Sequence, residues 1–319
     1  MKEIVFVKRN SEKWGQIEEL LHNNHQIKPD ELYNMYVGLN DDLSYAATFY
    51  PQSETHSYLN NLTIQLHQKI YLNKKIKRNR FVEFWKTEYP LLFWENRKYF
   101  WYASIIFVLS IIIGAFSTSV DNNFPRLILG DHYVNMTLQN ISNGDPMAVY
   151  KKANEIDMFL GITVNNIRVA FLAFVAGVFF SVGTGFILLK NGIMLGCFQY
   201  FFYQYGLMRE SVLAIYIHGT LELFSIVVAG AAGMLIGNSI LFPGTLPRVL
   251  SFRKGAVTGL KIVAGVVPVF MVAGFLEGYV TRHTELPDMV RGGIILLSLV
   301  FIVWYFFLYP KYLLQKSIN

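Results

Sequence analysis

Hydrophobic and polar positions change their pattern twice along this chain. Up to about residue 79 apolar residues recur at helical spacing among polar ones: Trp14, Ile17 and Leu21, then Leu32, Tyr36, Leu39 and Leu43, then Leu59, Leu62, Leu66 and Ile70. Such stripes predict amphipathic helices with one buried face each. Ser11 reads as the N-cap of the first, Pro29 and Asp30 open the second, Pro51 closes it, and the third begins at Ser53. Residues 1–79 therefore read as a small helical region with no catalytic spacing.

From residue 80 aromatic and charged residues interleave. The stretch FVEFWKTEYPLLFWENRKYFWY carries Trp85, Trp94 and Trp101 among Lys, Arg and Glu, with Pro90 in its middle. This is the composition of a helix in the headgroup region, so 80–99 reads as an interfacial amphipathic elbow kinked at Pro90. Just ahead of it lie Lys74, Lys75, Lys77, Arg78 and Arg80. A basic run beside membrane sequence points to the anionic leaflet, at about 1 kcal/mol per residue, and needs no nucleic acid.

Beyond residue 100 the pattern is lost into long apolar runs. Spans are expected at about 100–120, 164–189, 192–207, 211–241, 255–280 and 290–313, the third short and rich in Tyr and Gln, hence tilted, partly unwound or re-entrant, with the break before it at Asn191 and Gly192. The fourth, SVLAIYIHGTLELFSIVVAGAAGMLIGNSIL, exceeds what a bilayer core of about 30 Å requires. The fold class is thus all-α: a polytopic membrane protein of about six transmembrane helices over 100–319, behind the elbow and the helical N-terminal region.

Composition agrees. Charged residues make up 16% of 319 and hydrophobic ones 53%, against about 25% charged in average soluble chains. The net charge of +6 is then a question of which loops hold it. Residues 121–163 carry Arg126, Lys151 and Lys152 against Asp121, Asp131, Asp145, Glu155 and Asp157, which places that segment outside. Lys190, then Arg248, Arg253, Lys254 and Lys261, and finally Lys311 and Lys316 fall inside. Both termini are expected in the cytoplasm of a multi-pass cell-membrane protein. The apolar stretch near residue 1 is too short for a signal-peptide core. The single cysteine, Cys197, allows no intrachain disulfide.

Small residues are frequent in the spans. Gly233 and Gly237, Gly255 and Gly259, and Gly274 and Gly278 each make a small-xxx-small spacing, which lets helix backbones approach closely. Packing within one chain accounts for them, and self-association is the alternative use.

Against this background a few polar residues stand out. His218 and Glu222 lie four apart on one helical face, Glu277 sits near the end of span 5, and Asn165, Asn166 and Arg168 open span 2. A charge at the bilayer centre costs about 2.5–3.5 kcal/mol or more unless paired or hydrated. The topology puts all of these in the outer half, where they form an expected pocket together with Asn191. Glu222 pairing with Arg168 or His218 to fix helix register is one use of it. A proton or ion pathway is another. A metal site made of His218, Glu222 and Glu277 is a thinner alternative, with one imidazole and no thiolate. No hydrolase motif or phosphate-cradling loop is present. No cofactor is expected and enzymatic activity is not called for.

With these residues in hand, the chain resembles the stage II sporulation protein M family of integral membrane proteins. The resemblance rests on NNIRVAFLAFVAGVFFSVGTGFILLKNGIMLG (Asn165–Gly196), on IHGTLELFSIVVAGAAGMLIG (Ile217–Gly237) with its HGxxE, and on AGFLEGYVT (Ala273–Thr281). It covers roughly Trp85 to the C-terminus. It implies a multi-span protein without established enzymatic activity. The founding member works in a membrane complex with peptidoglycan-degrading enzymes during sporulation, and many relatives occur where no spores form. The resulting expectation is a non-enzymatic membrane scaffold or assembly component that self-associates. The alternative is a proton- or ion-coupled channel or transporter using the His/Glu pocket.

Overall fold

The structure is a computed structural model that describes residues 2–22, 29–72, 80–151, 154–283 and 285–318. Regular structure among the described residues is helical, and the chain divides into two units, Met1–Arg80 and Phe81–Asn319.

The first unit contains α1 (Glu3–His22), α2 (Pro29–Phe49) and α3 (Glu54–Leu72). The predicted stripes meet in its core, where Trp14, Ile17, Leu32, Leu39, Leu59, Leu62 and Leu66 are buried. Trp14 Nε1 donates to Asp42 Oδ2 at 2.9 Å, and Lys13 Nζ lies 2.6 Å from the same oxygen, tying α1 to α2. The first helix begins at Glu3, two turns before Ser11. Phe6 is the reason: its ring packs on Trp14, Tyr45 and Tyr50, so burial extends the helix past the polar residue that reads as a cap. Ser53 does cap α3, its Oγ accepting from the His56 N–H at 3.2 Å.

The second unit opens with α4 (Arg80–Glu83), a π-helical turn (Phe84–Glu88) and α5 (Tyr89–Glu95). Pro90 stands in the first turn of α5, where its missing N–H is harmless, so it starts a helix and does not kink one. Tyr89 and Phe93 are buried against Phe306. Tyr305 donates its hydroxyl to the Trp85 carbonyl at 2.5 Å, and Lys261 pairs with Glu88. The elbow is therefore packed into the bundle along one face. Of the basic run assigned to lipid, Lys74, Lys75, Lys77 and Arg78 lie outside the described residues; Arg80 is exposed at the start of α4.

Six helices among the described residues are long and apolar enough to cross a membrane. They are α6 (Arg97–Val120), α9 (Glu155–Val175) with its short continuation to Val178, α10 (Val182–Gln204), α11 (Met208–Leu241), α12 (Arg248–Phe275) running on through a π-helical turn (Leu276–Thr281), and α13 (Asp288–Ile302), which leads into α14 (Tyr309–Ile318). Two short helices, α7 (Phe124–Leu129) and α8 (Asp131–Ser142), join α6 to α9. The α6 residues Ala103, Phe107, Ser110, Gly114 and Thr118 are buried, whereas Ile105, Val108, Leu109, Ile112 and Phe116 face outward. Small and hydroxyl residues inside with large apolar ones outside is the arrangement a lipid solvent demands. At the centre stands α11, buried on all sides from Ser225 to Gly237.

The boundary between the second and third spans differs from the expected one. Asn191 and Gly192 lie inside α10, and the chain turns at Phe179–Ser181, where Phe180 (φ 54°) and Ser181 (φ 67°) take left-handed backbone. The run GVFFSVGTG hides the turn because its residues are apolar, with Phe179 and Phe180 exposed. Gly192 imitates a loop but serves contact: a Cβ there would stand 2.5 Å from Ser110 Cβ and 2.8 Å from the Phe107 carbonyl. Span 3 is consequently full length, 23 residues.

The glycines of the small-xxx-small spacings settle against neighbours in the same chain. A Cβ on Gly233 would meet the Ala173 carbonyl at 2.4 Å, on Gly237 Ser181 Oγ at 2.0 Å, on Gly274 Thr163 Oγ1 at 2.1 Å, and on Gly278 the Glu155 carbonyl at 3.1 Å. These contacts hold α9 and the hairpin at 179–181 against α11 and α12.

Candidate functional site

The cluster is assembled by three helices. On α11, His218 and Glu222 follow one another by a single turn and share a face. Glu277 comes from the π-helical turn at the end of α12, a local widening of the kind that recurs at functional sites. Asn166 comes from α9 and is buried. The close packing of Gly274 on Thr163 brings the end of α12 alongside α9, and Arg282 Nη1, 3.2 Å from Glu155 Oε1, clamps the same two elements at their ends.

His218 makes a contact with each ring nitrogen. Its Nδ1 lies 3.1 Å from Thr281 Oγ1, and its Nε2 lies 3.5 Å from Glu277 Oε2. Thr281 donates its own hydroxyl to the Leu276 carbonyl at 3.2 Å. Its oxygen is then free to accept, which assigns the imidazole proton to Nδ1 and turns the Nε2 lone pair toward the carboxylates. Glu222 has Asn166 as a hydrogen-bonding neighbour and Glu277 as a like-charged one. One ligand atom from each of His218, Glu222 and Glu277 falls within 4.8 Å of the others.

Two cavities reach these residues. One, of about 390 Å³, lies between α8, α10 and α11, with Tyr133, Asn191, Met194 and Phe198 in its wall beside His218 and Glu222. The other, of about 350 Å³, is lined by Asn165, Asn166, His218, Glu222 and Glu277. His218 and Glu222 are common to both.

The structure thus brings together His218, Glu222, Glu277 and Asn166, with Asn165 and Asn191 in the cavity walls. Arg168 is not part of the group. It is exposed on α9, about 200° around the helix from Asn166, so it cannot be the partner of Glu222. Asn191 reaches the first cavity as a mid-helix residue whose Nδ2 donates to the Ile187 carbonyl at 2.8 Å. Thr281 escaped the sequence reading, although it stands four residues after Glu277. Gly233, Gly237, Gly274 and Gly278 lie outside the cluster and hold its helices together.

A family model described as Stage II sporulation protein M matches residues 103–282, which contain every member of this cluster. A second, described as a domain of unknown function (DUF8413), matches residues 4–72. No curated protein and no solved structure matches the chain.

Proposed function

We propose, for a chain that belongs to the stage II sporulation protein M family, that the membrane unit moves a small cation across the bilayer through a binding station at His218, Glu222 and Glu277. One observation carries this reading: two separate cavities meet at His218 and Glu222. A network that merely fixed helix register would be packed dry on every side, whereas a pathway needs open volume on both flanks of its binding residues. Ionisable residues inside a membrane bundle also mark functional sites, ion and proton pathways among them. The loop charges support an orientation with both termini in the cytoplasm.

The test is cation flux in vesicles reconstituted with the purified full-length chain, read with a potential-sensitive dye under an imposed ion gradient. Flux should exceed that of empty vesicles and fall at least tenfold in Glu222→Gln and Glu277→Gln, with Arg168→Gln unaffected. Native flux no faster than empty vesicles, or full flux in Glu222→Gln, removes the reading.

A second reading, a membrane scaffold, has its own support. Residues 4–72 form a helical unit with a separate core and match a separate family model. In that case substitutions in the N-terminal core abolish partner recruitment, and Glu222→Gln leaves it intact.

A further inference from the structure

We propose that His218, Glu222 and Glu277 form a site for one divalent transition-metal ion of the Mn²⁺, Fe²⁺ or Zn²⁺ class. The proposal names the ion of the station described above, and it rests on that reading for how the ion reaches and leaves the site.

The donor atoms are spaced for one ion. His218 Nε2 and Glu277 Oε2 are 3.5 Å apart, and the Glu222 carboxylate completes a set within 4.8 Å. Two atoms bound at about 2.1 Å to one ion at a tetrahedral angle stand about 3.4 Å apart. His218 and Glu277 already have the separation of two donors on one ion, and the Glu222 carboxylate lies within a side-chain adjustment of the same sphere.

The ring is also oriented for it. With the Nδ1 proton given to Thr281, Nε2 presents a lone pair to a carboxylate oxygen, two acceptors facing one another. A cation between them turns that repulsion into attraction. A hydrogen bond from the distal ring nitrogen to a fixed acceptor is also how ligating histidines are held in one tautomer. Thr281, nearly fully buried, serves as that acceptor.

The charges balance as well. Among the described residues no Lys or Arg pairs with Glu222 or Glu277, and the side chains of His218 and Glu277 are 6% and 14% exposed. One divalent ion with two carboxylates and a neutral imidazole is a complex of zero net charge, the form that a low-dielectric interior tolerates. A monovalent ion would leave one negative charge behind.

The donor types decide the class. Imidazole suits Zn and Fe, carboxylate and amide oxygens suit Mn, and the absence of a thiolate among the donors argues against Cu(I). Asn166, buried beside Glu222 and lining the second cavity, supplies a neutral oxygen or orients a bound water.

The full-length chain, purified in detergent and stripped with EDTA, would be titrated with MnCl₂ and with ZnCl₂ by calorimetry, and with MnCl₂ by electron paramagnetic resonance. We expect saturation near one ion per chain, a loss of about 100-fold or more in Glu222→Gln and Glu277→Gln, and no change in Arg168→Gln. No saturable binding by the native chain, or binding that both Gln variants retain, overturns the assignment. Should a Gln variant fail to stay monodisperse, Thr281→Val decides in its place: a loss of about 10–100-fold supports the site, and unchanged affinity overturns it. Cation flux without metal binding removes this proposal and leaves the conduction reading standing. Metal binding without flux does the reverse.

Discussion

Thr281 Oγ1 lies 3.1 Å from His218 Nδ1, joining the last turn of α12 to the middle of α11 across 63 residues of chain. This contact gives the imidazole a direction. It holds Nδ1 on one side of the ring, opposite the Nε2 that faces Glu277. A hydroxyl buried at the end of a π-helical turn thereby sets the chemistry of a histidine on another helix.

Thr281→Val keeps the shape of the side chain and removes the oxygen. The buried His218 Nδ1 then loses its contact with Thr281, a penalty of about 1–3 kcal/mol. The expected result is a lower melting temperature in detergent than for the native chain, with Thr281→Ser close to native. Equal melting of the Val and native forms would show that the ring has another anchor.

A Cβ on Gly233 would stand 2.3 Å from Thr184 Oγ1 and 2.4 Å from the Ala173 carbonyl, which leaves no room for it. Gly233→Val should therefore lose more than about 3 kcal/mol, or fail to accumulate in the membrane, because two backbones must separate. Gly185, the residue after Thr184 on α10, has nothing within 4 Å of a Cβ, and Gly185→Ala should be near neutral. Thermal unfolding of the two variants side by side measures the difference.

Trp14 is 3% exposed at the centre of the N-terminal unit, and its indole holds Asp42. Trp14→Ala should cost about 3–5 kcal/mol, a large part of what a domain of this size possesses. Limited proteolysis of the full chain should then cut faster within residues 2–72, with fragments from residues 81–318 unchanged. A unit as resistant as the native one would contradict this core.

Cys197 is fully buried, so the native chain should react slowly with a membrane-impermeant maleimide. Asn143→Cys and Lys316→Cys each add an exposed thiol. In intact cells the first should label and the second should label only after permeabilisation, if the loop charges orient the spans as argued. The opposite order would invert the topology.

The helices of this protein, and the solvent they are made for, were legible from its order of residues. Apolar stripes in residues 1–79 became α1 to α3, and the long apolar runs became six helices able to cross a bilayer. Both are local properties, since a helix satisfies its own backbone and its faces follow from a period of 3.6 residues. The turn at Phe179–Ser181 was not legible, because in lipid a turn can be made of the same apolar residues as the helices it joins. Nor was the exclusion of Arg168, or the contact of Thr281 with His218, since both depend on how helices rotate against one another. That rotation is set by glycine contacts such as Gly233 on Ala173 and Gly274 on Thr163, between residues far apart in sequence. Hydrophobicity placed the spans; close packing alone decided which polar atoms meet.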